Sequence, residues 1–465
     1  MKPQEEFTRV VEGGYCIGCG ACAARPSGEM HIVMDAEGRY QAQINGVAPH
    51  DFGAVCPFST ASANEDAIAA GRFGNAPLHD GIGRHLACYA GHATDPLLRA
   101  NGSSGGLTTW LLAELLDKGI VDGVLHVAPT EDDVLFRYAV SSSPADVVAR
   151  AKSRYYPVEM SQVLASVRSK PGRYAVVGVP CFVKAVNLLK MADPVLNERL
   201  AITVGIFCGH LKSARFAEYL AAQARIDRAD LKAVNFRHKY PDGLASGYGV
   251  NFERRDGSRT DRPMRTVFGN NWGYGFFKYD ACNTCDDVAA ETADVAFGDA
   301  WLPAYVVDPA GTNVVVVRRP EIVALFEAGC TEGRLALAKL DANAVALSQE
   351  AGLRDRREGL AYRLALKQAS GIWHPEKRVA PRRNLPARRA AIYELRLQIM
   401  AATHAAWARA RQFGGVAAFE AEIRPLTNAY DALYQPTRLQ RISVLVRRIA
   451  RVVVRTGRKL AMRVQ

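Results

Sequence analysis

Three cysteines within seven residues, Cys16-Ile-Gly-Cys19-Gly-Ala-Cys22, constrain this chain more than any other feature. The spacing gathers three thiols around one short loop. Gly18 and Gly20 lie between them, so the backbone can turn tightly and aim N–H groups at sulfur. A Cys-Pro pair, Cys56-Pro57, follows 34 positions beyond Cys22. Four soft thiolates with amide donors are what a cubane iron–sulfur cluster requires. The distant fourth cysteine departs from the compact bacterial ferredoxin run, where it follows closely. A structural zinc site also accepts four cysteines, usually from two Cys-x-x-Cys knuckles. The triple spacing favours iron–sulfur over zinc.

The chain has ten cysteines. Its N-terminus, MKPQEEFTRVVEGGYC, is acidic-polar without the apolar core of a signal peptide. No run reaches the roughly 18 consecutive apolar residues of a spanning helix. The expectation is a cytoplasmic protein with reduced thiols, in which clustered cysteines mean metal rather than disulfides. A second group is more dispersed. Cys282-Asn-Thr-Cys285 is a lone Cys-x-x-Cys, Cys181 follows the apolar run YAVVGVP, and Cys208 follows AITVGIF. In an α/β sheet the last two would sit at carboxyl ends of strands, where ligands bind. Spacing alone leaves two readings open: a second four-thiolate site, or small buried hydrophobes. Cys88 and Cys330 have no partner pattern and read as core residues.

Residues 86–345 alternate strand and helix patterns, which argues for an α/β sheet covered on both faces. Strands are expected at 123–127, 174–177, 202–207, 294–297 and 313–317. Helices are expected at 108–118, 161–168, 182–191 and 216–224, with another starting at 145. Residues 232–262 read as a hairpin insert around an Asp256-Gly257 turn. Residues 1–85 look like a small loop-rich segment with strands at 31–34 and 40–44. From about 346 the pattern becomes Ala/Arg/Leu-rich and helical.

Asn101-Gly-Ser-Ser-Gly-Gly precedes the helix predicted from Thr108. Small residues let backbone N–H groups approach an anion, and a helix N-terminus favours negative charge. Ser103 and Ser104 add hydroxyls, and Lys152 could serve the same phosphate or pyrophosphate. A plain helix cap fits the turn equally well. The pattern matches neither Gly-x-Gly-x-x-Gly nor a P-loop, so it names no nucleotide.

Taken in order, NGSSGGLTTWLLAELLDKGIVDGV, AKSRYYPVEMSQV, YAVVGVPCFVKAVNLL, GIFCGHLKS and ACNTCDDVAAETADVAFGDAW resemble the family of coenzyme F-420 hydrogenase/dehydrogenase beta subunits. The resemblance covers roughly residues 8–345. It implies an α/β fold: a flavin-binding α/β domain (86–345), an N-terminal ferredoxin-like iron–sulfur segment (1–85) and a C-terminal helical extension (346–465). It implies FAD and two 4Fe–4S clusters. Asn101, Ser103, Ser104, Gly105, Gly106 and Lys152 would bind FAD, with Asp299 of the FGDAW motif near the flavin. Cys181, Cys208, Cys282 and Cys285 would hold the cluster nearer the flavin, and Cys16, Cys19, Cys22 and Cys56 the entry cluster. His210 is a candidate catalytic proton donor. The activity implied is an oxidoreductase drawing on ferredoxin or a reduced deazaflavin to reduce an organic substrate. The alternative is an electron-transfer subunit docking to a separate catalytic partner, in a polysaccharide pathway for example.

The net charge of +12 is unevenly placed. Residues 376–465 carry 19 Lys/Arg against 5 Asp/Glu, and the first 375 carry 40 against 42. A neutral body gives no support to nucleic-acid binding. After Asp431 nine basic residues and no acidic ones interleave with apolar positions at helical spacing. A basic amphipathic helix can lie on an anionic membrane surface at its inner face, dock an acidic partner such as ferredoxin, or pack on its own protein.

Overall fold

The computed structural model describes residues 2–25 and 28–435. The basic segment from 436 onward lies outside the described residues.

The N-terminal segment is small and built on local packing. Strands β1 (Met30–Met34) and β2 (Tyr40–Ile44) pair antiparallel, as expected. Phe7, on the helix Pro3–Val11, meets Phe52 edge-to-face at 5.3 Å. Val10, Ile17, Ala42 and Val55 close a core directly beneath the first three cysteines.

The central body is a mixed sheet of eight strands. Its members begin with β3 (Ala87–Ala93), β4 (Gly123–Pro129), β5 (Phe136–Ser141), β6 (Tyr174–Gly178) and β7 (Leu200–Ile206). Between these and the rest, β8 (Leu231–His238), β9 (Gly249–Arg254) and β10 (Arg259–Pro263) form a separate antiparallel sheet. The main sheet is completed by β11 (Val295–Asp299), β12 (Asn313–Val317) and β13 (Leu335–Lys339), in spatial order β13-β3-β12-β11-β7-β6-β4-β5. Strands β4, β6, β7 and β11 run parallel, so their carboxyl ends share one edge. Every residue of β12, Asn-Val-Val-Val-Val, is buried, the signature of a strand covered on both faces. Neighbours on β6 show that covering: Ala175 packs with the helix Leu107–Asp117, and Val176 with the helix Pro180–Ala192.

The predicted hairpin of 232–262 has three strands rather than two. The Asp256-Gly257 turn joins β9 and β10 as expected, with Gly257 at φ +84°. β8 is bulged at two places, which breaks the period-two pattern that marks a strand in sequence.

Residues 346–435 are largely helical, as read. The helices Ala387–Gln412 and Gly415–Ala432 lay Trp407, Phe419 and Ile423 against Phe236, Phe252 and Phe277 of the insert and its following loop. Cys88 is buried in the sheet, whereas Cys330 is exposed on the helix Pro320–Thr331 and is not the core residue expected.

Candidate iron–sulfur and flavin site

Gly18 and Gly20 take φ values of +61° and +85°, the left-handed region. A Cβ at Gly20 would stand 2.6 Å from the Ser161 amide nitrogen. This crossing lets the loop present its sulfurs inward. Cys16, Cys19, Cys22 and Cys56 line one small cavity with Val10, Ile32 and Val55. The Gly18 and Ala42 amides donate to Cys16 Sγ at 3.4 and 3.3 Å. Burial, reinforced by the neighbouring cysteines, pushes the Cys19 thiol up to about 12 and Cys22 well above the ordinary range. Four close, buried thiolates repel one another without a cationic centre, and the inward amides supply only part of the compensation.

The second set lies where the sheet edge predicts it. Cys181 begins the helix Pro180–Ala192 just beyond β6, so the helix N-terminus favours its thiolate. Cys208 follows β7, Cys282 lies within the 3₁₀ turn Asp280–Thr284, and Cys285 caps that turn. The field on Cys181 comes from Cys285, Cys208 and Cys282, after burial itself. The Leu211 amide donates to Cys282 Sγ at 3.2 Å. Among the described residues, no three His, Cys, Asp or Glu side chains converge at the distances of a single bound metal ion. Soft sulfur donors with inward amides are the donor chemistry of an iron–sulfur cluster, and both sets meet it.

The two sets adjoin. Cys19 is charge-coupled to Cys181, and both bear on Tyr138, which stacks on Phe182 at 6.3 Å and donates to the Val177 carbonyl at 2.7 Å.

The Asn101–Gly106 turn stands at the same edge of the sheet. A Cβ at Gly105 would meet the Gly91 carbonyl of β3 at 2.5 Å and the Asn313 amide of β12 at 3.0 Å. Asn101 ends the helix Pro96–Asn101, and Gly106, at φ +81°, caps Leu107–Asp117. Lys152, held at φ +107°, donates to the carbonyls of Ala100 (3.0 Å) and Gly102 (3.3 Å). Arg237 donates to the Ser103 carbonyl (3.2 Å), and Lys239 to that of Ser104 (2.7 Å). A peptide N–H points opposite its C=O. Pinning the carbonyls of 102, 103 and 104 therefore turns the amides of 103, 104 and 105 the other way. Among the described residues the amides of Ser103 to Gly106 have no acceptor within the chain. The serine hydroxyls are engaged locally: Ser103 Oγ accepts from the Ser153 amide (2.7 Å), and Ser104 Oγ donates to the Thr312 carbonyl (2.8 Å). Unpartnered amides on a turn that opens a helix are the donor chemistry of a phosphate group, and on the carbonyl side Arg237, Lys239, Tyr248, Trp301 and Tyr305 line a small cavity.

Two family models match this chain: the N-terminal part of the coenzyme F420 hydrogenase/dehydrogenase beta subunit over residues 88–165, and the C-terminal part over 172–343. The chain belongs to the family of coenzyme F420 hydrogenase/dehydrogenase beta subunits. Members of this family are oxidoreductase subunits of electron transfer. The chain is 28% identical over 215 residues to the F420-dependent formate dehydrogenase 1 subunit beta of Methanococcus maripaludis, covering 45% of this chain and 51% of that protein. The match thus spans about half the length of that relative. It is 22% identical over 317 residues to an F(420)H(2) dehydrogenase subunit of Methanosarcina mazei, covering 64% of this chain and 79% of that one. A chain of the F420-reducing [NiFe] hydrogenase complex of Methanosarcina barkeri aligns with a TM-score of 0.48 at 16% identity, over 66% of this chain and 99% of its own length.

The segments that match the F420 hydrogenase/dehydrogenase models hold the turn, Lys152, the second cysteine set, His210 and Asp299. Asp299 ends β11 and is ion-paired with Arg237 at 3.0 Å, in the wall of the turn's cavity. His210 stands apart from the turn. It packs on Trp272 at 4.6 Å, outside the residues lining that cavity, and its Nε2 is buried without a partner. Burial and the nearby Lys212, Lys278 and Arg356 push it well below its ordinary value.

Sequence reasoning missed Arg237, in β8, and Lys239, just after it, in a stretch read as an insert. It also missed Arg356 and Lys377, which reach the second cysteine set from beyond residue 345. Trp373 adds a strap over the first set, its carbonyl accepting from Tyr15 at 2.6 Å.

Proposed function

We propose that this chain is an iron–sulfur flavoprotein oxidoreductase that passes electrons through two 4Fe–4S clusters and FAD to an organic substrate. Cys16, Cys19, Cys22 and Cys56 hold one cluster; Cys181, Cys208, Cys282 and Cys285 hold the other. The Ser103–Gly106 amides hold the FAD diphosphate. The observation that carries the reading is the adjacency of two four-cysteine sets, the second at the sheet edge that also bears the anion-seeking turn. Bound there, the clusters supply single electrons and the flavin exchanges one or two, which joins a one-electron donor to a hydride-type acceptor.

The chain's own residues do the rest. The Gly18, Ala42 and Leu211 amides offset negative charge on sulfur. Tyr138 and Phe182 exclude water between the two sets. Lys152, Arg237 and Lys239 hold the turn open to an anion. The carrier is a deazaflavin or a ferredoxin; the names of the relatives, which carry F420, support the deazaflavin. Those relatives are also named as subunits, which favours a second reading, an electron-transfer subunit serving a separate catalytic chain.

The test is anaerobic purification with iron, acid-labile sulfide, zinc and flavin measured per chain. About eight irons with matching sulfide and one FAD are expected. Zinc without sulfide or flavin overturns the proposal. Deazaflavin turnover by the isolated chain supports the first reading; turnover only with a co-purifying polypeptide supports the second.

A further inference from the structure

We propose that fixed charges around the two cysteine sets give electron transfer a direction, with the Cys181/Cys208/Cys282/Cys285 set as acceptor, and that Arg356 is the main source of the bias. The inference rests on the iron–sulfur reading above and deepens it.

Arg356 is 2% exposed and sits on the π-turn Asp355–Gly359. It donates to the carbonyls of Cys208 (3.4 Å) and Gly209 and carries its charge beside Cys208, Cys282 and Cys285. Lys278 bears on Cys282, and Lys377 on Cys285. The carboxylates facing this group are shared. Asp355 lies 3.4 Å from Arg356, 3.1 Å from Arg363 and 2.9 Å from Arg396. Asp286 lies between Lys377 (3.7 Å) and Arg378 (3.3 Å), and Asp287 faces Cys208. Arg378 is taken up by Glu291 (2.8 Å) and Asp66 (2.7 Å) as well, so the balance is set by the groups that bear on the sulfurs directly: the cations Arg356, Lys278 and Lys377 against the carboxylate Asp287.

The other set has the opposite balance. Glu159 bears on Cys19 and Asp35 on Cys16, the latter held by Arg39 at 2.9 Å. The facing cation, Lys184 beside Cys56, is matched by Glu65 at 3.3 Å.

Reduction adds one negative charge to a cluster. Buried positive charge stabilises that charge strongly because little water screens it. The favoured transfer moves one electron: the cluster on the Cys16 set is oxidised by one electron and that on the Cys181 set reduced by one. No bond forms or breaks, and a low-potential one-electron reductant supplies the electron. Arg356 lies beyond both matched family segments.

The experiment is an anaerobic redox titration of the full chain followed by electron paramagnetic resonance. C56S and C285S assign the two signals. The cluster on the Cys181 set is expected at the higher potential. Arg356→Gln should weaken its reduction by about tenfold, ~59 mV for a one-electron couple, with Arg356→Lys restoring most of the shift. Lys278→Gln, a second variant, should shift the same signal the same way if Arg356→Gln fails to fold. Glu159→Gln should raise the other signal. Full iron and sulfide with unmoved potentials in Arg356→Gln and Lys278→Gln, or the higher potential on the Cys16 set, overturns the proposal. A wild-type chain without iron or sulfide instead removes the reading beneath it.

Discussion

A single Cβ separates an open cysteine loop from a blocked one. Gly20 takes φ +85°, and a Cβ added there would stand 2.6 and 2.9 Å from the backbone nitrogens of Ser161 and Met160. Gly20→Ala must strain the loop or displace the next helix. The expected outcome is loss of about four irons per chain with the remaining signal intact, read by iron assay and electron paramagnetic resonance. The turn makes a second prediction. Burial, then Lys152, Arg99 and Arg237, lower Lys239 to about 7, although its ammonium uses three carbonyls, those of Arg99, Ser104 and Ala310, at 2.6–2.7 Å. Lys152 is lowered to about 8. An anion in the turn stabilises both charged forms and so raises both values, which means binding takes up protons above neutrality. Affinity for inorganic pyrophosphate should therefore fall as pH rises from 7 to 9. Lys239→Met should flatten the profile, measured by calorimetry in two buffers. For folding the sign is opposite: the unfolded lysine keeps its proton to higher pH, so this group's burden on stability eases as pH rises through 7.

At the scale of elements, the described helices after 345 are structural partners of the central body. Phe419 is fully buried between Tyr219 (4.5 Å) and Phe277 (5.7 Å). Phe419→Ala should cost about 3–5 kcal/mol, seen in chemical denaturation. What the sequence disclosed depended on whether a signal is local. The glycine-spaced cysteines, the strand-end positions of Cys181 and Cys208 and the β9–β10 turn are local patterns, and each was readable. Arg356, Arg237 and Lys239 are lone cations in polar surroundings, indistinguishable in sequence from solvated surface charge. Only the fold carries them 134 to 148 positions along the chain to their acceptors. β8 escaped for a related reason, since its bulges erase the alternation that names a strand. The Lys152 backbone at φ +107° left no trace at all, because the residue type does not announce an unusual conformation.

At the scale of the molecule the charge is divided. Nine Lys/Arg and no Asp/Glu lie after residue 435, three quarters of the net +12. No helix among the described residues is long and apolar enough to cross a membrane. A basic segment with apolar residues at helical spacing gains on an anionic surface both from apolar burial and from about 1 kcal/mol per cation near the lipid headgroups. That second contribution is screened by salt over a Debye length of about 10 Å at 0.1 M ionic strength. The full chain should therefore float with vesicles rich in anionic lipid at low salt and release as salt is raised. A chain ended at Gln435 should lose flotation yet keep its iron, flavin and denaturation midpoint, because both cysteine sets, the turn and their packing partners precede that residue. Equal flotation of the two chains would sink the membrane role. A midpoint that falls on truncation would instead show the segment packed against the body it follows.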